Sequence, residues 1–147
     1  MVYQVIRKKK QRNLQNAIEY AAKIFQKYRV LQDCLHTTGT KDMCRCFTCN
    51  ALVPRNKNLH GGHWKKRSNH SVLFEKANCN AQCRTCNIDQ HGNMNVYEQK
   101  MIEKYGQAER DRIIILAKQV KIWTFEELDG MVENWRAQIK RMEAQKI

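Results

Sequence analysis

Two Cys-x-x-Cys pairs, Cys46-Phe-Thr-Cys49 and Cys83-Arg-Thr-Cys86, bracket the middle of this chain. Each pair suits a tight two-residue knuckle, and together they can place four thiolates around one tetrahedral Zn²⁺. Binding of that ion would contribute on the order of 10 kcal/mol to folding a segment too short to build its own core. The remaining three of the seven cysteines are Cys34, Cys44 and Cys79. They read as small buried hydrophobes, since Cys44-x-Cys46 lacks the knuckle spacing. An odd cysteine count fits a fully paired disulfide framework poorly. Metal in a reducing compartment fits better.

The rest of the chain is arranged around this staple. Residues 1–12 form a basic arm that opens with a brief strand at Val2 and Val5. Leu14, Ala17, Ile18, Ala21, Phe25 and Tyr28 recur at helical spacing and predict an N-terminal helix over 13–32. Its bland reading, a packing helix, is preferred. Cys34 to Asp42 reads as a turn, Met43–Phe47 as a strand with Cys44 and Cys46 on one side, and Asn50–Asn58 as a loop carrying the only proline, Pro54. Leu59–Lys65 predicts a strand whose Gly61-Gly62 marks a bulge or a close backbone approach. Val72-Leu73-Phe74 gives a short apolar return, and a helix starting near Cys83 or Thr85 contains Asn87 and His91. These elements form a zinc-stapled core over 43–106. A C-terminal helical extension over 107–147 follows, with helices over Val96–Tyr105 and Gln107–Ile122. A last helix is capped by Thr124 and Glu127, with Trp123 and Leu128 as its hydrophobic staple. Leu128, Met131, Val132, Trp135, Ile139 and Met142 share one face of it, which packs on the domain or on a second copy.

Within the staple lie residues with their own chemistry. His63 follows Gly61-Gly62 and is expected on the hairpin, facing the knuckle helix. Asn87 and His91, four apart, would share one helix face. Imidazole and amide oxygen can both coordinate a divalent cation at an open site. Asn78 stands where its amide could fix the loop that holds His63.

These residues resemble the HNH, or ββα-metal, endonucleases: His63, Asn78 and Asn87 follow that family's His–Asn–His/Asn order, and the cysteine pairs match its zinc-stapled members. The phrases His60-Gly-Gly-His63-Trp64, Asn78-Cys-Asn-Ala-Gln-Cys83-Arg-Thr-Cys86-Asn87 and Gly92-Asn93 are similar to the phage NinG (Rap) recombination endonucleases. The resemblance is strong from Cys46 to Gly106 and weaker beyond. It implies an α+β, mainly α fold with a treble-clef-like ββα-metal core between an N-terminal helix and C-terminal helices. It also implies a metal-dependent phosphodiester hydrolase acting on branched DNA, a Holliday junction or D-loop. His63 would be the general base, its pKa near neutrality. Asn78 would position it, and Asn87 with His91 would hold one Mg²⁺ or Mn²⁺. Many relatives carry Asp or His just before the base, where this chain has Gly62. Either His60 reaches the cation across the glycines, or Asn87 and His91 hold it with water. The second is preferred, because Mg²⁺ usually keeps several waters. His60 stays an additional candidate.

Charge agrees on the partner. A formal +13 on 147 residues favours a polyanion, and nucleic acid above all. Phosphate contacts are expected first from Lys65, Lys66 and Arg67, then from Arg84 at the second knuckle. A homodimer through the Leu128–Met142 face would suit symmetric cleavage. No apolar run approaches a membrane span, and the start lacks the apolar stretch of a signal peptide, so the chain reads as cytoplasmic, in a host cell if phage-encoded. The rival reading is a zinc-bound DNA-binding module without catalysis. His63, Asn78 and Asn87 occurring together favour the enzyme.

Overall fold

The computed structural model describes residues 11–147. The strand expected at Val2 and Val5 and the basic cluster of the arm lie outside the described residues. Arg12, at the arm's end, pairs with Asp129 at 2.7 Å and stacks 4.4 Å over the Phe125 ring. The fold is α+β, mainly helical, with two two-stranded antiparallel sheets. Among the described residues no helix is long and apolar enough to cross a membrane.

Helix α1 (Leu14–Thr38) starts at Asn13, whose side chain accepts from the Asn16 N–H. It outruns the expected end at residue 32 by two turns. Leu31 and Cys34 continue the buried stripe, and Thr37 and Thr38 bond back to the Asp33 and Cys34 carbonyls at 2.7 and 3.0 Å. These threonines had suggested a turn. Their hydroxyls serve the helix instead. Gly39, at φ 70°, ends it in the left-handed conformation that glycine adopts without Cβ strain.

Strand β1 (Met43–Arg45) is shorter than expected, because the chain turns at Cys46 to make the first knuckle. Cys44 therefore packs with Cys34 while Cys46 joins the other knuckle cysteines, rather than sharing its side. Part of the expected loop is strand β2 (Leu52–Pro54), paired with β1. Pro54 is tolerated there because β2 is an edge strand. Strand β3 (Leu59–His63) pairs with β4 (Cys79–Cys83) in unbroken register, Gly61 opposite Ala81 and Gly62 opposite Asn80. There is no bulge. The glycines mark close approach: a Cβ on Gly61 would sit 3.0 Å from the Gln26 side chain of α1. The returning strand is thus β4, and Val72-Leu73-Phe74 lies in the turns before it.

All five residues of β4 are buried. β3 takes one edge, and α1 takes much of the other. Arg29 donates to the Cys79 carbonyl at 2.9 Å, Asp33 accepts from the Ala81 N–H at 2.8 Å, and the Phe47 N–H reaches the Ala81 carbonyl. Arg29 and Asp33 also pair at 3.2 Å, both buried. A strand edge without a neighbouring strand has unpaired backbone groups; here the ion pair satisfies the Cys79 carbonyl and the Ala81 N–H, and Phe47 satisfies the Ala81 carbonyl.

A single π-helical turn (Thr85–Asp89) replaces the helix expected to hold Asn87 and His91. The Gln90 N–H closes it onto the Thr85 carbonyl, and His91 follows at φ 51°. Asn87 and His91 therefore do not share a helix face. Helices α2 (Met94–Tyr105) and α3 (Gln107–Ala117) bury Tyr97, Met101 and Ile113 against Trp64, Val72 and Ala77. Trp64 lies beneath the hairpin. α3 stops a turn before Ile122, since Val120 and Ile122 are exposed and nothing buries them. Helix α4 (Phe125–Glu143) has the expected capping box. Its apolar stripe lies against α1, with the Phe25 and Trp135 rings 4.9 Å apart and Phe74 edge-on to Phe25 at 5.8 Å. Packing on α1 accounts for the stripe without a second copy. Burying side chains of this size stabilises by roughly 1.5–3 kcal/mol each.

Candidate metal centres and catalytic cleft

The two knuckles converge. The Sγ atoms of Cys46, Cys49, Cys83 and Cys86 all lie within 4.8 Å of one another. Cys49 and Cys83 are 3.7 Å apart, close to the edge of about 3.8 Å that Zn–S bonds of about 2.3 Å give a tetrahedron. Backbone N–H groups already point at the sulfurs, from Cys83 to Cys46 at 3.3 Å and from Cys86 to Cys83 at 3.5 Å. Burial raises the Cys46 thiol, but these bonds and those from Cys49 and Thr48 outweigh it and bring the group down to about 6. Burial dominates at Cys49, pushed up to about 12. A cation is what would let all four ionise together. The four cysteines could hold a zinc ion.

A second site lies on β3. A cleft of about 950 Å³ is lined by His60, Gly61 and His63 of β3, by Asn87 and His91 around the π-turn, and by Lys66 and Arg67. Its opposite wall is α1, with Lys23 and Lys27 one turn apart. No residue of β4 lines it, so the cleft runs along the outer strand of the hairpin. Strand alternation sends His63 to the face packed on α1, whereas Asn87 stands against the other face beside Gly62. His63 therefore does not face the knuckle element as expected. Both residues still line one cavity. Lys65 sits over the Trp64 ring at 4.4 Å, outside the lining, and Arg84 is exposed elsewhere.

The His63 ring is held from behind. Its Nε2 lies 3.2 Å from the Leu73 carbonyl oxygen, which can only accept. Nε2 therefore carries the proton in the neutral ring, and Nδ1 keeps its lone pair. Asn78 is fully buried, and its amide clasps the next stretch of chain. Oδ1 accepts from the Lys65 N–H at 2.7 Å, and Nδ2 donates to the Lys65 and Val72 carbonyls at 3.1 Å. Burial pulls the His63 imidazole down to about 4; the Leu73 carbonyl opposes this, and the Arg67 charge adds to it. The ring is thus neutral at physiological pH, not balanced near neutrality as expected.

A family model for the bacteriophage lambda NinG protein matches residues 3–145. The chain belongs to the NinG family. No curated protein and no solved structure gives a significant match.

Three features of this NinG-family chain escaped the sequence reading. Lys23 and Lys27 line the cleft although their helix was read as packing alone. The Tyr97 hydroxyl donates to the Gly62 carbonyl at 2.7 Å and accepts from the Asn80 N–H at 3.0 Å, tying α2 to both strands. Gln82, fully buried, donates from Nε2 to the Thr48 hydroxyl and to the Gly92 carbonyl. Among the described residues its Oε1 has no hydrogen-bond partner, and neither has the buried His60 Nε2. The available signal was position: Gln82 stands beside the zinc knuckle, and Lys23 and Lys27 are spaced by one helical turn.

Proposed function

We propose that this protein is a metal-dependent endonuclease that hydrolyses phosphodiester bonds in branched DNA formed during recombination, with an HNH-type site in the β3 cleft. The observation that carries the reading is His63. It is a neutral imidazole fixed through Nε2, with the other nitrogen free to take a proton. It lines a basic cleft that also holds amide and imidazole donors.

The donor set fits an oxygen-loving cation. Asn87 offers an amide oxygen, His91 stands at the rim, and the His60 Nε2 is buried without a partner. Mg²⁺ or Mn²⁺ held there would polarise a phosphate oxygen and stabilise charge on the leaving 3′ oxygen. The chain's own residues do the rest. His63 Nδ1 accepts the proton of the attacking water. Leu73 and Asn78 hold that ring and its strand end in place. Lys66 and Arg67 neutralise phosphates beside the scissile one, and Lys65 and Arg84 extend the contact outside the cleft. The sulfur centre supplies structure alone, and NinG membership suits a recombination substrate.

The test is Mg²⁺-dependent nicking of supercoiled plasmid, followed by a panel of four-way junction, D-loop, flap, single strand and duplex at fixed salt. His63→Ala should lose on the order of 10²–10⁴-fold in rate with zinc content unchanged. Undiminished nicking in that variant would remove His63 from its role. Tight binding without any cleavage by the wild-type chain would leave a DNA-binding module.

A further inference from the structure

Beneath the cleft wall, next to Asn87, lies an oxygen that nothing above uses. Gln82 is completely buried and its Oε1 makes no hydrogen bond. A buried amide oxygen left so costs roughly 1–3 kcal/mol, and an unmet acceptor in a native fold calls for an explanation. Its orientation is not arbitrary. Nε2 donates to the Gly92 carbonyl at 2.9 Å, a pure acceptor, and to Thr48 at 3.1 Å. Turning the amide over would set two oxygens against each other, so Oε1 must point the other way.

It points at Gly62. A Cβ built on Gly62 would overlap Gln82 Oε1, lie 2.8 Å from its Cδ and 3.1 Å from Asn87 Oδ1. The two amide oxygens thus converge on the space beside a residue that has no side chain. That residue cannot move aside, because Tyr97 pins its carbonyl and β4 pairs its backbone. His60 stands directly opposite Gln82 in the ladder, on the same face, and brings the hairpin's other partnerless buried atom. Two amide oxygens facing one space suit a cation and repel an anion.

From this geometry we infer that Gln82 Oε1 and Asn87 Oδ1 together bind the divalent cation where Asn87 lines the cleft, Gln82 reaching it from beneath the wall, and that position 62 is glycine so that this approach stays open. This rests on the metal-dependent reading above, and it adds a ligand from β4, the strand that also carries a sulfur ligand. Hard cations take amide oxygens readily, and Mg²⁺ completes its shell with water.

The probe is Mn²⁺ alone, titrated into the zinc-loaded full chain without DNA and followed by electron paramagnetic resonance and calorimetry. Wild type should bind one Mn²⁺. Gln82→Leu should weaken binding at least tenfold with zinc content and helicity retained. If Gln82→Leu does not fold, Gly62→Ala carries the test, because its methyl displaces Gln82 Oε1 and should produce a similar loss. The double variant Gly62→Asp with Gln82→Ala should restore affinity, a carboxylate from β3 taking over in the space the amide vacated. Wild-type affinity in folded Gln82→Leu or Gly62→Ala, no rescue by the double variant, or no Mn²⁺ bound by wild type would each overturn the inference. Mn²⁺ binding that needs Gln82 in a chain that cuts no DNA would uphold it and refute the nuclease reading. Cleavage that needs Asn87 and ignores Gln82 would do the reverse.

Discussion

The sulfur centre and the cleft are built on one hairpin and are opposite in design. At the first, four thiols lie within 4.8 Å of one another and the surrounding N–H groups already favour negative sulfur. At the second, donors are fewer, the His60 Nε2 is buried with no partner among the described residues and the cavity is open along α1. A closed ligand set stabilises a fold, while an open one leaves places for water and phosphate. The contrast supports a structural role for the first and the proposed chemistry for the second.

Stripping the sulfur centre should have the largest effect. A strong chelator, or Cys86→Ser, should cost on the order of 10 kcal/mol and abolish the cooperative melting of the hairpin. An unchanged melting curve in metal-free protein would break the contrast at its root. Next comes β4, the buried strand that ends in Cys83. Arg29→Met removes the buried partner of Asp33, leaves it Lys104 at 3.4 Å, and should destabilise by about 3 kcal/mol in denaturant titration. A loss under 1 kcal/mol would mean that the β4 edge needs no such cap.

The cleft should answer more quietly. His63 binds its proton near pH 4 when folded and near 6.5 when unfolded. Between those values the unfolded chain carries the extra proton, so stability falls as pH falls through that window and levels off below it. The loss is on the order of 2 kcal/mol after allowing for solvent screening of a half-buried ring. The difference in stability between wild type and His63→Asn, measured from pH 7 to pH 4, should show that slope. A pH-independent difference would place the ring in water. Smallest is the α1 wall. Lys23→Ala with Lys27→Ala should flatten the plot of log DNA affinity against log salt by about 1–2 and leave melting unchanged. An unaltered slope would mean that the nucleic acid does not follow α1.

Much of this was legible in the sequence. Cysteine spacing gave the sulfur cluster, the Thr124–Glu127 pair gave the α4 start, and Asn78 does clasp the chain beside His63. What stayed hidden was set by tertiary contact. Cys79–Cys83 alternates in polarity as a strand does, but over only five residues and with no β-branched or aromatic residue, so the signal is weak. The segment is a strand because Arg29, Asp33 and Phe47 serve its outer edge. The π-turn follows from folding the second knuckle around sulfur, which displaced the ordinary helical period expected for Asn87 and His91. β2, three residues ending in proline, carries too short a pattern to stand out. Gln82 was passed over because polar residues are usually exposed.

Gln82 and Cys83 are consecutive in β4, one Cα spacing of about 3.8 Å apart, and point to opposite sides of the sheet. The two side chains hang from one stretch of backbone, so under the inference above a shift at either should be felt at the other. Loading the four cysteines with cadmium in place of the smaller zinc ion should then change the affinity of the cleft for Mn²⁺, without touching a residue that lines it.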